Sequence, residues 1–268
     1  MTVIANDIVP IHPYKTNVLN IAMGQRYDVI VKADQVSVAK TSGYVRFHKM
    51  PVRKTQTQPI SSGVDEDMSN LTPIVSKIVS RPFYNKSEPV SLGKNGGSLY
   101  RWKLNSTSMH VDWTDPTLLE IYRGHHNWAN SSGVIELPHK NVWTYIVIET
   151  SMSVPHPIHL HGHDFVILAQ GSGAYTGDIS TLATPPKRDT AMLPENGYLV
   201  IAFKTDNPGA WLMHCHIGWH TEEGFAIQFV ERYSEIQALV DYDILHYNCE
   251  AWDTFQKGLG AQEDDSGI

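Results

Sequence analysis

Two short windows constrain this chain more than any other feature: His156-Pro157-Ile158-His159-Leu160-His161-Gly162-His163 and His214-Cys215-His216-Ile217-Gly218-Trp219-His220. Together they hold seven of the 14 histidines, where random placement would put about one. Along a β-strand alternate side chains share a face, so His214 and His216 point one way and Cys215 between them points the other. One strand can therefore touch two metal sites. His159 and His161 form a second i, i+2 pair, available to the same centre that His214 and His216 address. The thiolate of Cys215, the nearby His220 and one more imidazole, for which His156 is the natural donor, make a His₂Cys set of the blue-copper kind.

The rest of the sequence agrees with strands. Short β-branched or aromatic runs bounded by turn residues recur at Arg26–Val31, Gly43–Phe47, Trp143–Glu149, Phe165–Ala169, Leu199–Phe203 and Phe225–Val230. The 19 glycines and 15 prolines cluster between the runs, as at Pro185-Pro186 and Asn207-Pro208-Gly209, which suits an all-β fold of Greek-key sandwiches. Only Ile236–Leu245 reads as helix. A polar, turn-rich stretch from Val52 to Asn70 is the best boundary. Residues 1–70 are short for a sandwich, which takes about 100 residues, so they are expected to form a partial unit. Residues 71–245 would form a complete one, with 246–268 a polar tail.

Composition removes several classes of function. With 21 basic and 28 acidic residues the formal charge is −7, which recommends neither nucleic acid nor an anionic membrane as partner. No stretch approaches the roughly 20 apolar residues of a membrane span, and the first residues carry no secretion-signal pattern. Four N-x-[ST] sequons, at Asn70, Asn85, Asn105 and Asn130, nevertheless point to a glycosylated, secreted protein; about one or two would arise by chance.

The histidine windows leave alternatives at this stage. Zn²⁺ accepts the same ligands and would make a structural site. His163, after Gly162 at the end of its run, reads as a hydrogen-bonding residue behind the ligands. His12, His48, His110, His125, His126, His139 and His246 are scattered and read as surface or structural.

The two windows, with Gly224 and Phe225 after the second, resemble the C-terminal copper motifs of multicopper oxidases. Pro185-Pro186-Lys187-Arg188-Asp189-Thr190, the run Gly197–Met213 and the terminal Asp265-Ser266-Gly267-Ile268 are similar to ascomycete-type fungal laccases. The resemblance implies cupredoxin-like sandwiches and copper as cofactor: His156, Cys215 and His220 as type-1 ligands, His159 as a type-2 ligand, and His161, His214 and His216 as type-3 ligands. Phe225 falls at the axial position as a non-ligand, which should raise the type-1 potential. Trp219, and with it Trp113, would frame the exposed edge of His220, where a phenol or aromatic amine delivers electrons that Cys215, His214 and His216 pass on toward O₂. The implied setting is an extracellular enzyme of lignin degradation.

One departure qualifies this. The family's trinuclear cluster takes eight histidines, four of them from two His-x-His motifs of the first domain, and no such motif stands upstream of His156. The family also pairs a cysteine like Cys249 with one in the first domain. The expectation is therefore a C-terminal laccase portion whose missing motifs come from an N-terminal laccase portion, or else a non-catalytic copper-binding or electron-transfer protein.

Overall fold

The computed structural model describes residues 1–32, 66–95, 99–179 and 184–259. The run Gly43–Phe47 and most of the Val52–Asn70 boundary lie outside them. Three strands, β1 (Thr2–Asn6), β2 (Val9–Lys15) and β3 (Tyr27–Ile30), form a small antiparallel sheet in the order β2-β1-β3. Val3, Ile11 and Leu71 make its modest core.

The remaining strands build a two-sheet sandwich. They are β4 (Tyr84–Lys94), β5 (Tyr100–Leu104), β6 (Val134–Leu137), β7 (Trp143–Glu149), β8 (His156–Leu160), β9 (Phe165–Ser172), β10 (Lys187–Arg188), β11 (Thr190–Leu193), β12 (Gly197–Lys204), β13 (Gly209–Cys215) and β14 (Ala226–Glu231). One sheet runs β10-β9-β12-β7-β4-β5 and the other β11-β8-β13-β14-β6. Between them lies a core of alternate residues: Ile146 and Ile148, Leu199, Ile201 and Phe203, Phe225, Ile227 and Phe229. Each such side chain contributes roughly 1.5–3 kcal/mol by leaving water. The all-β expectation holds.

Helices are more numerous than the sequence suggests: α1 (Thr117–Tyr122), α2 (Gly218–Glu222), α3 (Tyr233–Ile236) and α4 (Tyr242–Leu259). The first two are too short to show a helical period. α4 extends well into the stretch expected as a tail. Its inward positions Tyr242, Leu245, Cys249, Trp252 and Gln256 have helical spacing, but the last is polar, so the pattern fades where the helix continues. No helix among the described residues is long and apolar enough to cross a membrane.

A buried ionic clamp ties the small sheet to the sandwich. Asp7 sits in the tight turn between β1 and β2 at φ 50°, a conformation aspartate tolerates better than most residues. Its Oδ2 accepts from Arg188 Nε at 3.1 Å and from the backbone N–H groups of Asp189 at 3.2 Å and Thr190 at 3.3 Å. The Arg26 guanidinium grips Asp189 bidentately at 2.8 and 2.6 Å. The side chains of Asp7 and Arg188 are wholly buried.

Candidate metal centres

Antiparallel pairing of β8 with β13 places His214 opposite His159 and Cys215 opposite Ile158. Strand alternation then sorts the side chains. Ile158, Leu160, Met213 and Cys215 join the core between the sheets, while His159 and His214 turn to the other face. Two groups of donor atoms result, one on each side of the same pair of strands: His156, Cys215 and His220, and His159, His161 and His214.

The first group is closed. Cys215 Sγ stands 3.8 Å from His156 Nδ1 and 3.6 Å from His220 Nδ1. Three ligands set trigonally at about 2.0–2.3 Å from one ion stand about 3.5–4.0 Å apart, so the spacing fits a single metal ion. All three residues are buried. His220 reaches the site from α2, whose end at Gly224 has φ +96°, where an added Cβ would lie 2.0 Å from Ser108 Oγ. That forced turn delivers Phe225, fully buried, with its ring centroid 4.9 Å from that of His156. Cys215 N–H donates to the Phe225 carbonyl at 3.1 Å.

Burial sets the protonation states. It pulls His156 down to about 3, with the charge of His220 adding to the effect, and lowers His220 as well. Burial also pushes the Cys215 thiol up to about 12, against the backbone hydrogen bond from Ile217. The imidazoles are thus in their ligating form at neutral pH, and a metal must displace the thiol proton.

The second group is more open. His161 is exposed, while His159, His214 and His216 are half-buried. His161 Nε2 and His214 Nε2 are 3.1 Å apart. The His216 ring centroid lies 5.8 Å from that of His214 and 5.9 Å from that of His159, at the margin of the group. Gly24, at φ +82°, lies against His216, where a Cβ would come within 2.5 Å of the ring. Burial pulls His214 down to about 4, opposed by its hydrogen bond to the Cys215 carbonyl, and lowers His161, with His159 and His216 contributing.

Several residues that the sequence did not mark support these groups. The Trp102 indole covers the first, with ring centroids 4.4 Å from His220 and 4.9 Å from His156, and stacks on Phe225 at 5.3 Å. Its Nε1 donates to Glu223 Oε2 at 3.1 Å. The Thr221 hydroxyl donates to the Cys215 carbonyl. His159 Nδ1 donates to the Asp189 carbonyl at 2.8 Å, which leaves Nε2 for the second group and links it to the Asp7–Arg188 clamp. No spacing rule would have found Trp102, which lies 113 positions before Cys215 in the numbering.

The remaining sequence candidates separate. His163 joins neither group; its Nε2 lies 2.9 Å from Glu231 Oε2. Trp219 is 62% exposed, with its ring edge-on to His220 at 6.0 Å. Trp113 lies elsewhere, 6.0 Å from Trp252 on α4, and lines a cavity of about 530 Å³ onto which His161, not His220, opens.

Comparison with known proteins places the chain among multicopper oxidases. Two multicopper oxidase family models match residues 88–235 and 1–59. Laccase-2 of Botryotinia fuckeliana is 38% identical over all of this chain and 51% of its own length. Dihydrogeodin oxidase of Aspergillus terreus is 32% identical over the whole chain and 54% of its own length. The crystal structure of a laccase from Botrytis aclada superposes with a TM-score of 0.83 at 37% identity, covering 100% of this chain and 54% of that one. The chain spans about half the length of the curated relatives it matches.

Proposed function

Because the chain belongs to the multicopper oxidase family, we propose that it carries the substrate-side half of a laccase-type enzyme, which oxidises phenols or aromatic amines in one-electron steps and reduces O₂ to water. His156, Cys215 and His220 would hold a type-1 copper, with the Phe225 ring packed against His156 as a non-ligand. His159 would hold a type-2 copper, and His161, His214 and His216 would serve a type-3 pair. The observation that carries this reading is the triangle of Cys215 Sγ with His156 and His220 at 3.8 and 3.6 Å.

Copper, when bound, supplies the one-electron redox chemistry. The chain does the rest. Trp102 and Phe225 exclude water from the inner side of the triangle. His220 presents its ring beside exposed Trp219, where an aromatic substrate can approach. Cys215 is bonded through the backbone to His214 and His216, and the His214 Nδ1–Cys215 carbonyl hydrogen bond of 2.9 Å adds a second connection between the two centres. The Asp189 carbonyl fixes the His159 tautomer.

The exposed sequon asparagines Asn85, Asn105 and Asn130 support an extracellular glycoprotein, and the aromatic substrate class suits lignin-derived phenols. A second reading, a copper-binding or electron-transfer protein without oxidase activity, is favoured by the histidine count, since the second centre draws only four ligands from these residues. Oxygen uptake with a phenol separates the two. The copper-loaded chain alone is expected to consume little or no O₂, and a polypeptide bearing two His-x-His motifs, an N-terminal laccase portion, should restore uptake. Failure of such a polypeptide to restore it would favour the second reading. Steady uptake by the chain alone would overturn the assignment of half a cluster.

A further inference from the structure

A cavity of about 310 Å³, separate from both histidine groups, opens where the end of β5 meets the start of β6; Glu88, Leu104, Asn105, Trp128, Asn130 and Ile227 help to line it. A volume of this order suits a small ligand. Glu88, on β4, is 4% exposed. Among the described residues its carboxyl has no hydrogen-bond or ion-pair partner, and neither oxygen is sealed from solvent, so the carboxyl relies on water for its hydrogen bonds. Burial accordingly pushes its pKa up to about 7, against the charge of Lys86. A ligand that offers hydrogen-bond donors to Glu88 would take the place of that water.

Two further lining residues narrow the ligand class. Asn105 and Asn130 each begin a sequon, Asn105-Ser106-Thr107 and Asn130-Ser131-Ser132. Both are exposed, and neither side-chain amide is hydrogen-bonded among the described residues. Asn105 stands at the tip of a tight turn closed by Thr107 N–H to the Leu104 carbonyl at 2.9 Å, and its own N–H donates to the carbonyl of Pro89, the neighbour of Glu88, at 3.0 Å. Trp128 is half-buried, its indole held by a 2.7 Å hydrogen bond from Nε1 to Glu136 Oε1. A carboxylate acceptor beside an anchored aromatic ring suits a sugar, which presents hydroxyl and amide donors along its rim and C–H groups on its face.

We propose that this cavity seats the first N-acetylglucosamine of an N-linked glycan carried at Asn105 or Asn130, with Glu88 accepting from its hydroxyl or acetamide groups and Trp128 packing on its face. The donor is a lipid-diphosphate-linked oligosaccharide. The asparagine nitrogen bonds to C1 of the sugar and gives up one proton, and the C1–O bond breaks with its electron pair leaving on the diphosphate. The proposal rests on the extracellular reading but not on the copper assignment, so it is tested on metal-free chain.

The full chain is made in a secretory eukaryotic host, and peptide mass mapping reads occupancy at the two asparagines, with Asn105→Gln and Asn130→Gln identifying which one carries the seated sugar. The expected result is a glycan on at least one of them, an NMR Overhauser contact between its first acetamide methyl and the Trp128 indole, and a rise in Tm over the matching Asn→Gln variant. Glu88→Met, which nearly keeps the volume but offers no oxygen acceptor, should abolish both the contact and the rise. Trp128→Leu gives an independent reading, loss of the Tm rise, should Glu88→Met not fold. Two unmodified asparagines, or a glycan whose first sugar shows no contact with Trp128, would overturn the proposal.

Discussion

The two donor groups share strands β8 and β13 yet differ in almost every physical respect. On the inner face, His156, Cys215 and His220 are buried between the sheets and roofed by Trp102 and Phe225. On the outer face, His161 is exposed and His159, His214 and His216 are half-buried. The inner group is held by the sandwich core, whereas His159 depends on Asp189 and, through it, on the turn at Asp7. One period-two alternation therefore produces a centre organised by packing and another organised by polar contacts across two sheets.

The largest expected effect that tests this contrast is acid. In the metal-free chain both His156, near 3, and His214, near 4, lie below the 6.5 of an unperturbed histidine. Their depressed values mean that the unfolded chain binds protons first. Stability is full above about 6.5 and falls as the pH drops toward 3, at up to about 1.4 kcal/mol per pH unit for each histidine. Denaturant unfolding at several pH values would show the slope, and ring NMR shifts should show His214 titrating before His156. The reverse order would break the ranking of the two faces by burial.

The clamp comes next. Asp7→Asn leaves Arg188 buried without its charge partner and should destabilise the protein by about 3 kcal/mol or more. Its second readout is local: the resonances of His159 should shift in the metal-free chain, while the blue absorption of the copper-loaded chain, owed to Cys215, persists. Simultaneous loss of the blue colour would show that the two faces are not independently organised.

Phe225→Met is the mildest change and touches only the inner face. A thioether at that position can donate weakly to Cu(II), so in a complete enzyme carrying this domain the type-1 potential should fall. Stability should change by less than about 1.5 kcal/mol, because the swap nearly conserves volume. Redox titration checks the first and thermal unfolding the second; an unchanged or raised potential would leave Phe225 as core alone.

What the sequence disclosed follows the same division. The alternation His214-Cys215-His216 was legible because a strand converts sequence parity directly into facing, and the long strands β7, β9, β12 and β14 were legible from their β-branched runs. Trp102, Thr221 and the Asp7–Arg188 clamp were not. Each acts through tertiary proximity that no local period encodes: Asp7 and Arg188 meet across 181 positions of sequence. Trp113 shows the converse, an aromatic that suited the His220 edge by type but that the fold carries to the α4 side. The short helix α2 was hidden for a different reason, since five residues are fewer than two turns.

The most direct test of the central claim, that Cys215 with His156 and His220 forms the type-1 centre, is the visible spectrum of the copper-loaded chain and its cysteine variants. Intense blue absorption arises from a Cu–thiolate bond. Native chain and Cys249→Ser should both show it, and Cys215→Ser should lose it completely. Blue colour that survives Cys215→Ser would contradict the account.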